Sequence, residues 1–378
     1  MKVVIAPDSF KECLSSAAVA DAIGRGVLRV FPDAETVKVP MADGGEGTVD
    51  AFVAAAGASV KTRLVAGPLG NRVEARYAIL ENIAIIEMAA ASGLDLVPPQ
   101  KRNPLKTTTY GTGEFVRAAL DDGAARIVVG VGGSATVDGG TGMAQALGVR
   151  FLDKMWNDVD GCGGNLSKID RIDMSKLDPR VKRCTVEVAC DVTNPLCGER
   201  GAARIYGPQK GASAAMVDEL DRGLAHLAHI IKRDVGVDVS DLPGAGAAGG
   251  LAAGLVAFLG ARIRSGVDLL IETSRLEDKV RDADLIITGE GKLDDQTLSG
   301  KLPLGVARLG ARFGVPTIAI AGSVEGDTKW FYDAGFAAII TIPPGPATIK
   351  TSLKNAAAWI ADATERAMRL LQLGQAFG

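Results

Sequence analysis

A chain of 378 residues, 47% hydrophobic but only 4% aromatic, is long enough for two α/β domains with cores of Ala, Val, Ile and Leu. Its net charge of −3, with no basic run and no aromatic-interleaved patch, argues against a nucleic-acid partner. No stretch reaches the roughly 18 to 20 apolar residues of a membrane span, and the strand-like start argues against a signal peptide. Five cysteines without a C-x-x-C pair argue against a zinc cage or disulfide framework, and for a reducing, cytoplasmic setting.

The chain opens as βα units. Lys2–Ala6 reads as a strand, Ser15 as an N-cap and Ala17–Phe31 as an amphipathic helix. Thr36–Pro40 reads as the second strand, followed by the loop Met41–Gly47 and the helix Thr48–Ala56. Open α/β sheets bind ligands beyond the carboxyl ends of their strands. That is where APDSFKECLS places Asp8, Ser9 and Lys11, and where MADGGEGT places Asp43, Gly44, Gly45 and Glu46. Two carboxylates with backbone amides between them can face one site. The plainer uses are a helix cap for Asp8 and a surface turn for the second loop.

From about Val60 to Glu87 short alternating runs read as an antiparallel meander. Helical pattern over Gly113–Leu120 then leads to Val128–Gly142, VVGVGGSATVDGGTG, around which the chain is organised. Ile127–Val131 reads as a buried parallel strand and Met143–Leu147 as a short helix. Gly132, Gly133 and Ser134 at the turn between them leave backbone N–H groups bare for an anion. Asp138 adds a carboxylate suited to a metal ion or a proton. The alternative is a tight turn whose glycines serve backbone shape alone.

Phe151–Arg183 is polar and turn-rich, and Thr185–Cys190 reads as a strand ending at Asp191. A carboxylate there is expected to be partly desolvated, with a raised pKa. Cys190 and Cys197 have no partnering histidine nearby, which disfavours thiol catalysis. Lys210, in a Gly-Pro-Gln-Lys-Gly turn, can reach a phosphate as a point charge or serve as an exposed turn lysine. The helix Met216–Val235 carries both histidines, His226 and His229, in surface or packing roles. A general base must then be a carboxylate or a lysine, and a Ser-His-Asp hydrolase is disfavoured, the more so without a G-x-S-x-G elbow.

Gly244, Gly246 and Gly249 open a glycine-rich helix as G-x-G-x-x-G, with Glu272 ending a strand about 20 residues on, the dinucleotide fingerprint. The preceding VDVSDLP is too short and polar for the buried strand such a site needs, so these glycines read as close packing or free amides. No Walker A pattern is present. The last hundred or so residues alternate strands, Leu269–Glu272, Asp284–Thr288, Thr317–Ala321 and Ala338–Ile342, with helical segments, and close on the helix Lys354–Leu373. Asp284–Thr288 is expected to deliver Glu290, Lys292 and Asp294 into a glycine loop, with Lys301 beyond. Carboxylates for magnesium and lysines for phosphate oxygens suit that mixture. Alternation at both ends around a different middle predicts one α/β domain, residues 1–60 plus 265–378, split by an inserted second domain, 61–264. Residues 107–148 fit either.

Taken in order, APDSFK, MADGGEGT, EMAAASGL, TTTYGTGE, GVGGSATVDGG, VACDVTNPLCG, GPQKGA, GAGAAGG and ITGEGKLDDQT resemble the bacterial type 1 glycerate kinases over nearly the whole chain. The resemblance implies a flavodoxin-like parallel-sheet domain with an inserted second α/β domain and an active-site cleft between them. It implies ATP-dependent, magnesium-assisted phosphorylation of D-glycerate at the 2-hydroxyl, by a monomer or homodimer. Val137 stands where the family usually has Asn, and Cys13 where Ser is more usual. On this reading Asp191 is the base, with Asp8, Asp43 and Asp294 as alternative bases or magnesium ligands. Lys11, Lys292 and Lys210 neutralise phosphate or carboxylate, and the Gly132–Ser134 amides cradle an anion. Attack by the 3-hydroxyl, a related hydroxy acid as substrate, a dehydrogenase and a non-catalytic sugar-acid sensor are the competing readings.

Overall fold

The computed structural model describes residues 1–10, 13–42, 47–294, 297 and 301–375. In chain order its strands are β1 Lys2–Ile5, β2 Glu35–Lys38, β3 Ser59–Ala66, β4 Arg72–Leu80, β5 Ile83–Glu87, β6 Arg126–Gly130 and β7 Arg150–Leu152. They continue as β8 Arg171–Asp173, β9 Thr185–Ala189, β10 Arg262–Arg264, β11 Leu285–Leu293, β12 Thr317–Val324 and β13 Ala338–Thr341. The chain divides into two compact units. One comprises Met1–Asp43, Asp50–Gly57 and Val267–Gly378, the other Gly44–Val49 and Ala58–Gly266. Among the described residues no helix is long and apolar enough to cross a membrane.

The first unit carries a parallel sheet in the order β13-β12-β11-β1-β2. Counted within the unit this is 2-1-3-4-5, the flavodoxin-like winding, and its topological switch point lies between β1 and β11. Helices cover both faces, so Val3–Ile5 of β1 and Leu285–Ile287 of β11 read as unbroken apolar runs. On one face Ser16–Leu28 and Ile349–Gln375 bury Val19, Ile23, Ile360 and Ala363 over Val3, Ile5, Ile287 and Ile320. On the other, Leu304 and Ala307 of the helix Leu302–Phe313 pack on Ala319 and Ala321. Ser15 Oγ accepts the Ala18 N–H at 3.3 Å and caps the first helix, as its sequence position predicts.

The second unit carries a sheet in the order β10-β9-β6-β5-β4-β3. β10, β9, β6 and β5 run parallel, and β4 and β3 return antiparallel as the expected meander. β7 and β8 pair as a separate antiparallel ribbon. Tyr77, Phe115, Met88, Phe151 and Leu227 are among the residues that fill its core. Residues 107–148 lie in this unit.

Three expectations need correction. Leu269–Glu272 is not a strand but part of the helix Gly266–Thr273. A short apolar run satisfies both periods, and here Val267 and Leu270 lie three residues apart on one buried face. The strand in this region is β10, whose two arginines hide it from a hydrophobicity reading; Arg264 meets buried Glu187 of β9 at 2.8 Å. Secondly, Glu272 therefore ends no strand, and the G-x-G-x-x-G run has a packing role. Gly249, at φ +68°, lies where a Cβ would come within 1.9 Å of the Thr136 carbonyl, and the regular helix begins only after three left-handed residues, Ala248–Gly250. Thirdly, β11 does not stop at Thr288 but runs to Leu293, so Glu290 and Lys292 stand on the strand and not in a loop. Gly289 permits this, since a side chain there would strike the Ile320 carbonyl of β12.

Candidate active site

The first unit gathers acids and lysines at the carboxyl ends of β1 and β11, the switch point of its sheet. The Asp8 N–H donates to the Gly289 carbonyl at 2.8 Å, which ties the loop after β1 to β11 beside Glu290. Asp8 is buried, and its carboxylate accepts the Ser9 N–H at 2.6 Å, so it shapes its own loop; the cap of the following helix is Ser15. Glu290, also buried, accepts the Thr297 hydroxyl at 2.5 Å. Thr297 Oγ1 in turn accepts the Asp294 N–H at 3.1 Å, so one buried hydroxyl sets the spacing of both acids. The Lys301 ammonium stands between them, 3.9 Å from Glu290 Oε2 and 3.7 Å from Asp294 Oδ1. Lys292 lies 3.7 Å from Asp294 Oδ2 and also pairs with exposed Glu325, whose hydrogen bond and then charge hold the lysine above its ordinary pKa. Lys11, Asp43, Gly44, Gly45 and Glu46 lie outside the described residues.

The second unit presents the loop 131–142 at the carboxyl end of β6. Gly133–Ala135 pairs with Ser92–Leu94 through Leu94 N–H to the Gly133 carbonyl (2.8 Å) and Ala135 N–H to the Ser92 carbonyl (2.9 Å). Among the described residues none accepts the N–H groups of Gly132, Gly133 or Ser134. Those three amides are the bare donors an anion needs. The loop is pinned from behind: Thr107 Oγ1 donates to the Ala135 carbonyl at 2.9 Å, and Thr109 donates to Asp138 through both N–H and hydroxyl at 2.8 Å.

Asp138 also accepts Gly140 N–H at 3.1 Å and Gly142 N–H at 3.4 Å, and it is wholly buried. Burial pushes its carboxyl pKa up, while these four donors pull it back. Its oxygens are spent on the protein, which corrects the metal-ligand role suggested for it; it is the peg that shapes the turn. Val137 is fully buried and packs in the unit's core.

Lys210 is not an exposed turn lysine. It is 2% exposed, and its Nζ donates to Ser134 Oγ and to the Thr136 carbonyl, each at 2.7 Å. Burial drives its pKa down to about 7, with Asp138 pulling the other way. Asp191, at the end of β9, is exposed rather than desolvated; its Oδ1 accepts the Gly266 N–H at 3.0 Å, just past β10. The Cys190 thiol next to it is buried, bonded to the Val192 carbonyl at 3.4 Å, and burial raises its pKa, which is the wrong direction for a nucleophile. His226 bonds the Ile169 carbonyl at 2.7 Å, a packing role.

A model of the glycerate kinase family matches residues 3–372. The chain belongs to that family. Glycerate 2-kinase of Escherichia coli is 49% identical over 376 residues, covering 99% of both chains. Glycerate kinase of Halalkalibacterium halodurans is 52% identical over 344 residues and 90% of each chain. A crystal structure described as glycerate kinase 2 of Salmonella typhimurium matches with a TM-score of 0.91 at 48% identity, over 99% of each chain. The protein is thus a kinase that transfers phosphate to glycerate.

Several residues of this glycerate kinase that shape the site were not singled out from sequence. Thr297 falls in a polar loop with no periodicity, and Thr107 and Thr109 read as the approach to a helix. The signal that finds them is the TTTYGTGE run itself: three hydroxyls just ahead of a helix at Tyr110–Asp121 are donors in search of acceptors.

Proposed function

We propose that this glycerate kinase uses ATP and magnesium to phosphorylate D-glycerate at the 2-hydroxyl, giving 2-phosphoglycerate. The observation that carries the reading is the 49% identity, end to end, with a relative named glycerate 2-kinase. The geometry supports it. Phosphoryl transfer asks a protein for positioning and charge neutralisation, and each unit offers part of that: acids with lysines at the β1/β11 switch point, and bare amides in the 132–134 loop.

Glu290 and Asp294 suit magnesium, because both direct oxygens at one cation, the Lys301 ammonium, from separate positions on the chain. Two carboxylates are what this ion takes from protein when phosphates supply the rest of its oxygens. Bound there, magnesium would offset charge on the transferring phosphate. Lys301 and Lys292 are then the ammonium groups at hand for phosphate oxygens, with Lys11 a further candidate. Asp191 is the base: it is exposed, and its Oδ1 is oriented by the Gly266 N–H. Asp8, more deeply buried, fits loop shaping better. We read the two compact units as the protein's two domains, working in the cytoplasm as a monomer or homodimer.

The test is ADP release with D-glycerate, followed by NMR of the product. Phosphorus coupled to the C2 proton supports the assignment, and coupling to the C3 protons moves it to the 3-hydroxyl. No ATP consumption with D-glycerate overturns it. Asp191→Asn should keep the fold and lose at least about a hundredfold in kcat, the low end of what general acid–base groups contribute. Near-normal turnover would remove Asp191 from the role.

A further inference from the structure

An ammonium has three protons and no lone pair, so it can only donate. Two of the Lys210 protons go to Ser134 Oγ and the Thr136 carbonyl, which makes Ser134 Oγ the acceptor of that bond. The hydroxyl keeps a proton of its own. Among the described residues nothing accepts it, although Ser134 is only 7% exposed. The same residue contributes one of the three bare amides of the loop.

Burying a lysine is costly, and an apolar side chain of similar length would fill the volume at less expense. The site of that cost is informative: both hydrogen-bond acceptors of Lys210 lie on the loop that carries the unmet amides. Of the charged groups around it, Asp138 faces the ammonium. Arg204, on the preceding helix, is engaged with Asp218 and Asp221, and Arg102, whose carbonyl packs on Gly211, sends its guanidinium to the Val97 carbonyl.

We propose that Lys210 is a positioning residue which holds Ser134 as an acceptor, so that the Ser134 hydroxyl must donate its proton to an anion seated on the 132–134 amides. Lys210 does not touch that anion; its charge reaches it through one polarised hydroxyl. This deepens the kinase reading and rests on it for the identity of the anion, the carboxylate of glycerate or a phosphate of the nucleotide. Deprotonated, the amine gains a lone pair and can itself accept the hydrogen bond of the Ser134 hydroxyl, which withdraws the donor from the anion.

The test compares wild type, Ser134→Ala, Ser134→Thr, Lys210→Met and the double variant Ser134→Ala/Lys210→Met. The readouts are kcat, KM for D-glycerate and for ATP, and calorimetric binding of each substrate alone. Ser134→Ala should weaken one of the two substrates by about tenfold to a hundredfold, the worth of one hydrogen bond to a charged group. Ser134→Thr should restore most of it, and the double variant should bind no worse than Ser134→Ala. In wild type, the affinity ratio to Ser134→Ala should shrink between pH 6 and pH 8.5, a readout that stands even if Lys210→Met does not fold. The inference is overturned if Ser134→Ala binds both substrates within about twofold of wild type, if the two losses multiply, or if that ratio ignores pH. Wild type binding neither substrate overturns both readings. Wild-type turnover with an unaffected Ser134→Ala overturns this one alone.

Discussion

Asp138 offers the sharpest test of how the 131–142 loop is built. Replacing it with alanine removes the shared acceptor of Thr109 N–H and hydroxyl at 2.8 Å, Gly140 N–H at 3.1 Å and the longer bond from Gly142. The threonine hydroxyl can rotate to another partner, but the Thr109 and Gly140 amides cannot. Two buried N–H groups left unmet cost about 1–3 kcal/mol each, and relief of a buried carboxylate returns part of that. The expected net loss is about 3 kcal/mol, local to the second unit. Urea unfolding followed by circular dichroism reads the total, and hydrogen exchange at Thr109 and Gly140 reads the loop itself, since a chain of two units need not unfold in one step. A variant within about 0.5 kcal/mol of wild type, with both amides still protected, would refute the peg. Asp138→Asn keeps one carbonyl acceptor and should fall between. Because the folded-state pKa of Asp138 is raised, the folded protein holds the extra proton above the ordinary aspartate pKa. Wild-type stability relative to Asp138→Asn should therefore decline as pH rises from about 4 toward that raised pKa, then level off.

Lys210 gives the opposite sign. Its folded-state pKa is about 7 against the ordinary 10.5, so the unfolded chain binds more protons between those values. Wild-type stability relative to Lys210→Met should rise between about pH 7 and pH 10, which denaturant midpoints at fixed pH will show. Glu290→Gln should raise the magnesium concentration for half-maximal activity by about tenfold or more while leaving the Tm within a few degrees, as read by titrating the metal at saturating ATP; an unchanged requirement removes Glu290 from the metal site. Lys292→Met should leave the urea midpoint at the wild-type value, because the Glu325 partner is itself exposed and such surface pairs contribute little. Any larger effect in that variant should appear in KM for ATP.

Individual strands of both sheets were legible where burial enforces a single period. Val3–Ile5 and Ile127–Val129 are buried strand residues whatever surrounds them, and the antiparallel run up to Glu87 shows its alternation. The reading failed where a local signal served a distant purpose. Gly289 and Gly291 looked like a loop because glycine ordinarily weakens strands, but the approach of β12 needs a position without a side chain, at Gly289 above all. β10 brings Arg264 into a sheet edge, where Glu187 on the neighbouring strand receives its charge. Asp191 and Lys210 exchanged their expected environments: the acid at the strand end is exposed and the turn lysine buried. Exposure of a single polar residue depends on partners far along the chain, here Ser134 and Thr136 for Lys210, and no window of sequence around position 210 contains them.

The position of β1 has a consequence for the order in which the molecule assembles. Nearly all of the second unit comes from one continuous stretch, Ala58–Gly266, so its sheet can close while later residues are still being synthesised. β1, by contrast, is a central strand flanked by β2 and β11, and β11 begins at Leu285. Until that segment leaves the ribosome, one edge of Lys2–Ile5 has no native neighbour, and the nascent amino terminus stands as an open, apolar strand edge. Slowing translation between Gly266 and Leu285 should therefore lengthen the period of aggregation risk far more than an equal delay placed after Thr341.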